Sequence, residues 1–300
     1  MNNYIDVKAV ATLKGGGHLL RSCIVEFVGD AIFVFIGSLS GLGYLAGTGG
    51  PGTLLPAFAH GLTIAILVAS MGHISGGHYN PAVSFGVFLS GNLGIFSLFF
   101  YVLSQILGGF LGSILVWALL PETLYERFSG GMTLPQAHFT EPQALLAESI
   151  ATFLLVTAVL NSAVDQKGSN VLAPIAIGGS VLVDIISLGN VSGASMNPAR
   201  SMGPALGYSL FGAASANEAW AKQWIYYAGP AIGAALAALL YKLALAEDRW
   251  LGGQRGSSGR VTPEAEPVTL KRYSQEDPPH LTYRTDQPLP QPLSQTSQAF

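Results

Sequence analysis

Two short runs carry residue types from which a polar site could be built in otherwise apolar surroundings. They are Asn80-Pro81-Ala82, within ISGGHYNPAVSFG at 74–86, and Asn197-Pro198-Ala199-Arg200, within VSGASMNPARSMG at 191–203. Asparagine is a leading helix N-cap, and proline is tolerated at the first helical position because its missing N–H would have no partner there. Each Asn-Pro therefore reads as a helix start. With the side-chain oxygen capping its own first turn, the amide NH2 is left as a donor. A helix start also carries the positive end of the macrodipole, roughly half an elementary charge. Two such starts facing one spot would offer two donors to a neutral molecule with lone pairs, and would repel any cation, hydronium included. Arg200 opposes the dipole of its own first turn, and the matching position of the first run holds Val83. An ionisable residue at such a place is a functional residue by default, here serving one mouth of a path only.

The surroundings explain why these runs stand out. Half of the 300 residues are hydrophobic, 10% are charged and 37 are glycine, a balance that belongs in a lipid bilayer. A net charge of -3 argues against nucleic acid as a partner. The single cysteine, Cys23, cannot close an internal disulfide. Stretches of spanning length and character run near 19–41, 53–72, 95–120, 143–163, 171–189 and 223–246. The segments after the two prolines, 81 to about 90 and 198 to about 206, are too short to cross. They are expected to be half-helices that dip in and end midway, with irregular backbone that must be buried in protein or line a water-filled cavity. No removable signal peptide is expected. Lys8, Lys14 and Arg21 precede the first span and Lys242 and Arg249 flank the last, which places both termini in the cytoplasm and Arg200 toward the outer mouth.

The two runs answer each other at identical spacing, and the echo extends to Glu26 and Glu148, and to Gly108 and Gly112 against Gly229 and Gly233. The chain thus reads as two copies of a three-span unit, 19–120 and 143–247. Three is odd, so the copies are inverted about the bilayer midplane. The expected fold is an all-α membrane protein with six transmembrane helices and two re-entrant half-helices. A cytosolic segment, 1–18, precedes the 19–247 channel domain, and a disordered cytosolic tail, 248–300, follows with seven of the 17 prolines. Ser257, Ser258 and Ser274 lie beside basic residues there as candidate phosphorylation sites, with a plain solvated tail as the other reading. Glu26 and Glu148 are expected to accept hydrogen bonds from the re-entrant loops, and the four glycines to make helix contacts. His73 and His78 have no cysteine or carboxylate beside them to form a metal site and read as loop packing. Neither a cofactor nor a paired nucleophile and base is called for, so an enzyme is not expected.

Taken with their flanks, the paired Asn-Pro-Ala runs resemble the aquaporin (major intrinsic protein) family over residues 20–246. The resemblance implies a homotetramer with one pore per subunit and a four-residue constriction near the outer mouth. By position relative to the two asparagines, those residues are His60, Ile185, Ala194 and Arg200. A strict water channel of the family typically has an aromatic where His60 stands and a histidine where Ile185 stands. The set found here, with Asp184 beside Ile185, is similar to the aquaporin-8 subgroup and the plant tonoplast channels, which are associated with water, ammonia and hydrogen peroxide. Ser201 stands where glycerol channels usually carry aspartate, and Ser195 where the aquaporin-8 subgroup often has a cysteine. His60 is expected to offer a neutral ring that can donate or accept. The expected function is a passive channel for water and small neutral solutes that excludes protons and ions. Its expected location is the plasma membrane, with an intracellular membrane as the alternative. A proton-coupled secondary transporter built on inverted repeats and a non-conducting adhesion or scaffold protein are the rival readings.

Overall fold

The computed structural model describes residues 16–42, 52–165, 168–213 and 216–246. The tail expected over 248–300, with Ser257, Ser258 and Ser274, lies outside the described residues, as do residues 1–15 of the N-terminal segment.

In chain order the helices are α1 (Gly16–Ser40), α2 (Leu54–Ser75), α3 (Pro81–Ser90), α4 (Ile95–Leu119), α5 (Glu122–Arg127), α6 (Glu141–Val159), α7 (Ala173–Ser192), α8 (Pro198–Phe211), α9 (Asn217–Lys222) and α10 (Ile225–Leu240). Both α6 and α10 end in a widened turn, closed by Asp165 N–H on Leu160 O and by Ala246 N–H on Tyr241 O, each at 2.8 Å.

Among the described residues, Leu54–Ser75, Ile95–Leu119, Glu141–Val164, Ala173–Ser192 and Ala219–Leu245 are long and apolar enough to cross a membrane. The sixth expected span, α1, has 25 residues, about 37 Å at 1.5 Å per residue, and from Cys23 to Ser40 its only charged side chains are Glu26 and Asp30. Its residues are sorted by face. Leu20, Ile24, Val28, Ile32 and Ile36, four apart, are exposed, whereas Ser22, Glu26, Asp30 and Val34 are buried. In α1, then, the apolar stripe faces outward and the acids face the bundle, as suits a helix whose solvent is lipid.

Small residues set the helix contacts. Gly108 of α4 lies against Phe27 O of α1, and a Cβ on Gly112 would stand 2.6 Å from Ala31 O. The second half repeats this contact: a Cβ on Gly229 of α10 would stand 2.6 Å from Glu148 Cβ, and Gly233 lies against the Ser149 carbonyl. Between the halves, Gly61 of α2 meets Gly178 of α7, where a Cβ on Gly61 would come within 2.6 Å of Gly178 O. Such close approach is how helices gain van der Waals contact where lipid offers no hydrophobic drive.

The half-helix α3 ends at Ser90, but α8 continues five residues beyond its expected end near 206. Pro204 lies inside it and forfeits only one N–H, while Gly203 lets that face lie directly on the Gly109–Phe110 backbone of α4. The helix stops at Gly212, whose N–H reaches Tyr208 O at 2.9 Å.

Candidate functional site

At the centre, the two half-helix starts are bonded to each other. Asn80 Oδ1 accepts from Ala82 N at 2.8 Å and Val83 N at 3.4 Å, and Asn197 Oδ1 accepts from Ala199 N at 2.9 Å and Arg200 N at 3.1 Å. Asn80 Nδ2 donates to Met196 O at 2.9 Å, and Asn197 Nδ2 donates to Tyr79 O at 2.8 Å. The sequence reading left both amide groups whole for a solute. One hydrogen of each is instead spent on the opposite half, because the carbonyl of the residue before each asparagine turns toward the other helix tip. Each NH2 retains one further hydrogen.

Those carbonyls turn because the backbone is left-handed there. Tyr79 has φ 44° and Met196 φ 56°, a conformation that costs a non-glycine residue roughly 1–2 kcal/mol. The two buried glutamates hold it in place. Glu26 accepts from Tyr79 N at 2.6 Å, His78 N at 3.0 Å, Ser75 Oγ at 2.6 Å and Gln105 Nε2 at 2.8 Å. Glu148 accepts from Met196 N at 2.7 Å, Ser195 N at 2.9 Å and Ser192 Oγ at 2.7 Å. Tyrosine hydroxyls complete each loop from non-matching positions: Tyr101 donates to Ser75 O and Tyr226 to Ser192 O, both at 2.6 Å.

Beside the two asparagines lies a chamber of about 20 Å³, room for roughly one water at a time. Phe33, Ile64, Val181 and Leu155 form its apolar walls, with His78 and Ser195 as polar neighbours of the asparagines. A wider cavity of about 280 Å³ is lined by Arg200, Ile185 and Ala194 together with Thr133 and Gln136, and His60 borders both. His60, Ile185, Ala194 and Arg200 are therefore gathered in one place. Ala194 has φ 45° where the first half has Gly77 at φ 66°.

The expected freedom of the His60 ring is corrected. Its Nδ1 lies 2.8 Å from Pro56 O, which can only accept, so Nδ1 carries the hydrogen. Nε2 is buried against Gly37 without a partner, and the ring stands edge-on to Phe33 at 5.2 Å. One nitrogen is thus spent on the backbone and the other hidden, so the ring contributes shape. Arg200 Nη1 donates to Gly131 O at 3.2 Å. The segment carrying Gly131 is fastened by Glu126, which accepts from Tyr208 OH at 2.7 Å and Ala213 N at 2.6 Å.

Sequence reasoning missed several lining residues. Thr133 and Gln136 come from the segment between α5 and α6, where only the Gly130-Gly131 pair, at φ 59° and 79°, signalled a tight path. His78, read as loop packing, both lines the chamber and sits 3.0 Å from Ser84 Oγ. Asp184 is buried beside Ile185 without bordering either cavity, and Cys23 is half-buried on α1 away from both. Among the described residues no group of three His, Cys, Asp or Glu could hold a metal.

Inverted helical halves whose broken helices meet tip to tip define a membrane-transport fold, and the chain belongs to the major intrinsic protein family, whose model matches residues 16–241. Within that family it is similar to aquaporin-8 of Mus musculus, 41% identical over 233 residues that make up 77% of this chain and 84% of the relative. Aquaporin-8 of Rattus norvegicus is 40% identical over 77% and 83% of the two chains, and the probable aquaporin TIP1-1 of Oryza sativa subsp. japonica 38% over 75% and 86%. The aquaglyceroporin from Plasmodium falciparum shares the fold, with a TM-score of 0.66 at 21% identity over 76% of this chain and 97% of that one. The chain is accordingly a multi-pass membrane channel for water and small solutes.

Proposed function

We propose that the channel passes water, ammonia and hydrogen peroxide and excludes ions. Asn80, Pro81, Ala82, Asn197, Pro198 and Ala199 form its midplane, and His60, Ile185, Ala194 and Arg200 form its filter. The observation that carries this reading is the one-water chamber beside the bonded helix tips, which shares His60 with the cavity lined by the filter and its single guanidinium. A chamber of that size makes solutes pass in single file and stripped of most neighbours. Both half-helices point their positive ends at it, which penalises hydronium more than any neutral guest.

The filter sets the solute range. With His60 Nδ1 committed to Pro56 O and Ile185 presenting a hydrocarbon wall, the polar side chain offered there is Arg200. Such a wall favours a solute that needs few replacements for its hydration, as ammonia does, and admits hydrogen peroxide, whose width is close to that of water. Ser201, buried and bonded to Ser195 Oγ at 2.6 Å, offers no second polar side chain for a polyol. The proposal extends to a homotetramer with one pore per subunit, a plasma-membrane location and both termini in the cytoplasm. In that orientation the Arg200 mouth faces outward.

Stopped-flow light scattering of proteoliposomes, repeated with an ammonium gradient and with a peroxide-sensitive dye inside, tests the solute range. Wild type is expected to conduct all three, and His60→Phe with Ile185→His to keep water flux while losing most ammonia flux. Osmotic flux equal to that of empty vesicles would overturn the channel reading. Equal ammonia flux in wild type and double variant would overturn the filter assignment.

A further inference from the structure

One buried acid has no place in the pore as described. Asp30 of α1 is fully buried and neither carboxyl oxygen completes a hydrogen bond. Glu26, one turn earlier on the same helix, has four donors. The position of Asp30 is defined by two adjacent glycines of α4: a Cβ on Gly108 would stand 3.0 Å from Asp30 Cβ, and a Cβ on Gly109 would stand 2.7 Å from Ala199 O in the first turn of α8. The Asn197 side chain is its polar neighbour. Asp30 thus lies behind the tip of α8, one layer outside the chamber wall that Phe33 of the same helix forms. The titratable groups acting on it are Glu26 from its own helix and Tyr79 from the loop before α3. The matching residue in the second half, four after Glu148, is Thr152, also fully buried with its hydroxyl unpartnered.

The matching positions of the two halves therefore differ, one holding a hydroxyl and the other an acid. A carboxylate in so dry a place is costly unless a donor meets it, and the polar side chain at hand is that of Asn197. Once ionised, its full negative charge would stand beside a positive helix end of about half a charge and cancel it. We propose that Asp30 is a specificity-determining residue that sets the proton barrier at the α8 tip: the neutral acid leaves the barrier intact, and its ionisation opens a proton leak. This rests on the channel reading above. The acid acts through the field at the chamber and touches no solute.

Proteoliposomes loaded with a pH-sensitive dye, under a potassium and valinomycin clamp, report proton flux from small pH jumps between pH 6.5 and 9.5. Water flux measured in the same vesicles normalises each value, so poor folding lowers both and leaves the ratio unchanged. Wild type is expected to show a ratio that rises about tenfold toward the alkaline end, the change that about 1.4 kcal/mol of barrier gives. Asp30→Asn and Asp30→Thr, which carry no ionisable group, are expected to give flat ratios. A flat wild-type ratio over the whole range, or a rise that persists in both variants, overturns the proposal. Absence of water flux in wild type would instead overturn the channel reading.

Discussion

Replacing Glu148 by glutamine changes one oxygen of a buried carboxylate to NH2 and leaves its volume intact. The remaining oxygen can keep Ser192 Oγ and Ser195 N, now at 2.7 and 2.9 Å, but the new NH2 then faces the Met196 N–H that Glu148 Oε2 holds at 2.7 Å. Two donors would point at each other. A hydrogen bond to a charged group contributes about 1.5–3 kcal/mol, and a buried donor left unpaired costs about 1–3 kcal/mol. These overlap, and with the left-handed Met196 backbone no longer held, a loss of about 3–5 kcal/mol is expected. At roughly 2–4 °C per kcal/mol for a chain of this size, the thermal midpoint should fall by about 6–20 °C. Heating detergent-solubilised protein and measuring the fraction that remains monodisperse on size exclusion gives that midpoint. Water flux should fall with it, because Met196 O is the acceptor for Asn80 Nδ2. A variant that melts within about 2 °C of wild type and conducts water normally would refute the bracing role of the carboxylate.

Two further outcomes follow from single contacts. Gly109→Ala should lower the thermal midpoint by about 2–12 °C, since its Cβ would stand 2.7 Å from Ala199 O and overpacking costs about 1–3 kcal/mol; Gly179→Ala, with nothing within 4 Å, serves as the control that melts no lower than wild type. Wild-type water flux should resist mercurials, because Cys23 borders neither cavity, whereas Ser195→Cys places a thiol on the chamber wall and should create a block reversed by reducing agents.

What was legible beforehand was what repeats. Asn80 and Asn197 announced two helix starts, and Glu26 with Glu148 and the matched glycines marked two similar halves, because caps, buried acids and close helix contacts each demand particular residue types. The contacts that complete the site made no such demand. Tyr79 and Met196 carry the left-handed turns, although that backbone usually selects glycine or asparagine, and it is their carbonyls that take up the asparagine amides. Gly131 O, which receives Arg200, is also backbone, and a carbonyl has no letter of its own in a sequence. The His60 ring was misjudged for the same reason: Pro56 O, one turn earlier, claims its Nδ1. For α8, the expected end near 206 falls short, because the close fit of Gly203 on α4 carries the helix on to Phe211.

The reciprocal bonds between the helix tips also constrain biogenesis. Asn80 completes its bonding on a residue 116 positions later in the chain, and Tyr79 receives an amide from one 118 positions later. While the ribosome is still making the second half, the first re-entrant loop has a cap and a glutamate but no opposite tip. Its final geometry must wait for α8 to arrive from the other leaflet, so the two halves mature together and the central constriction forms last.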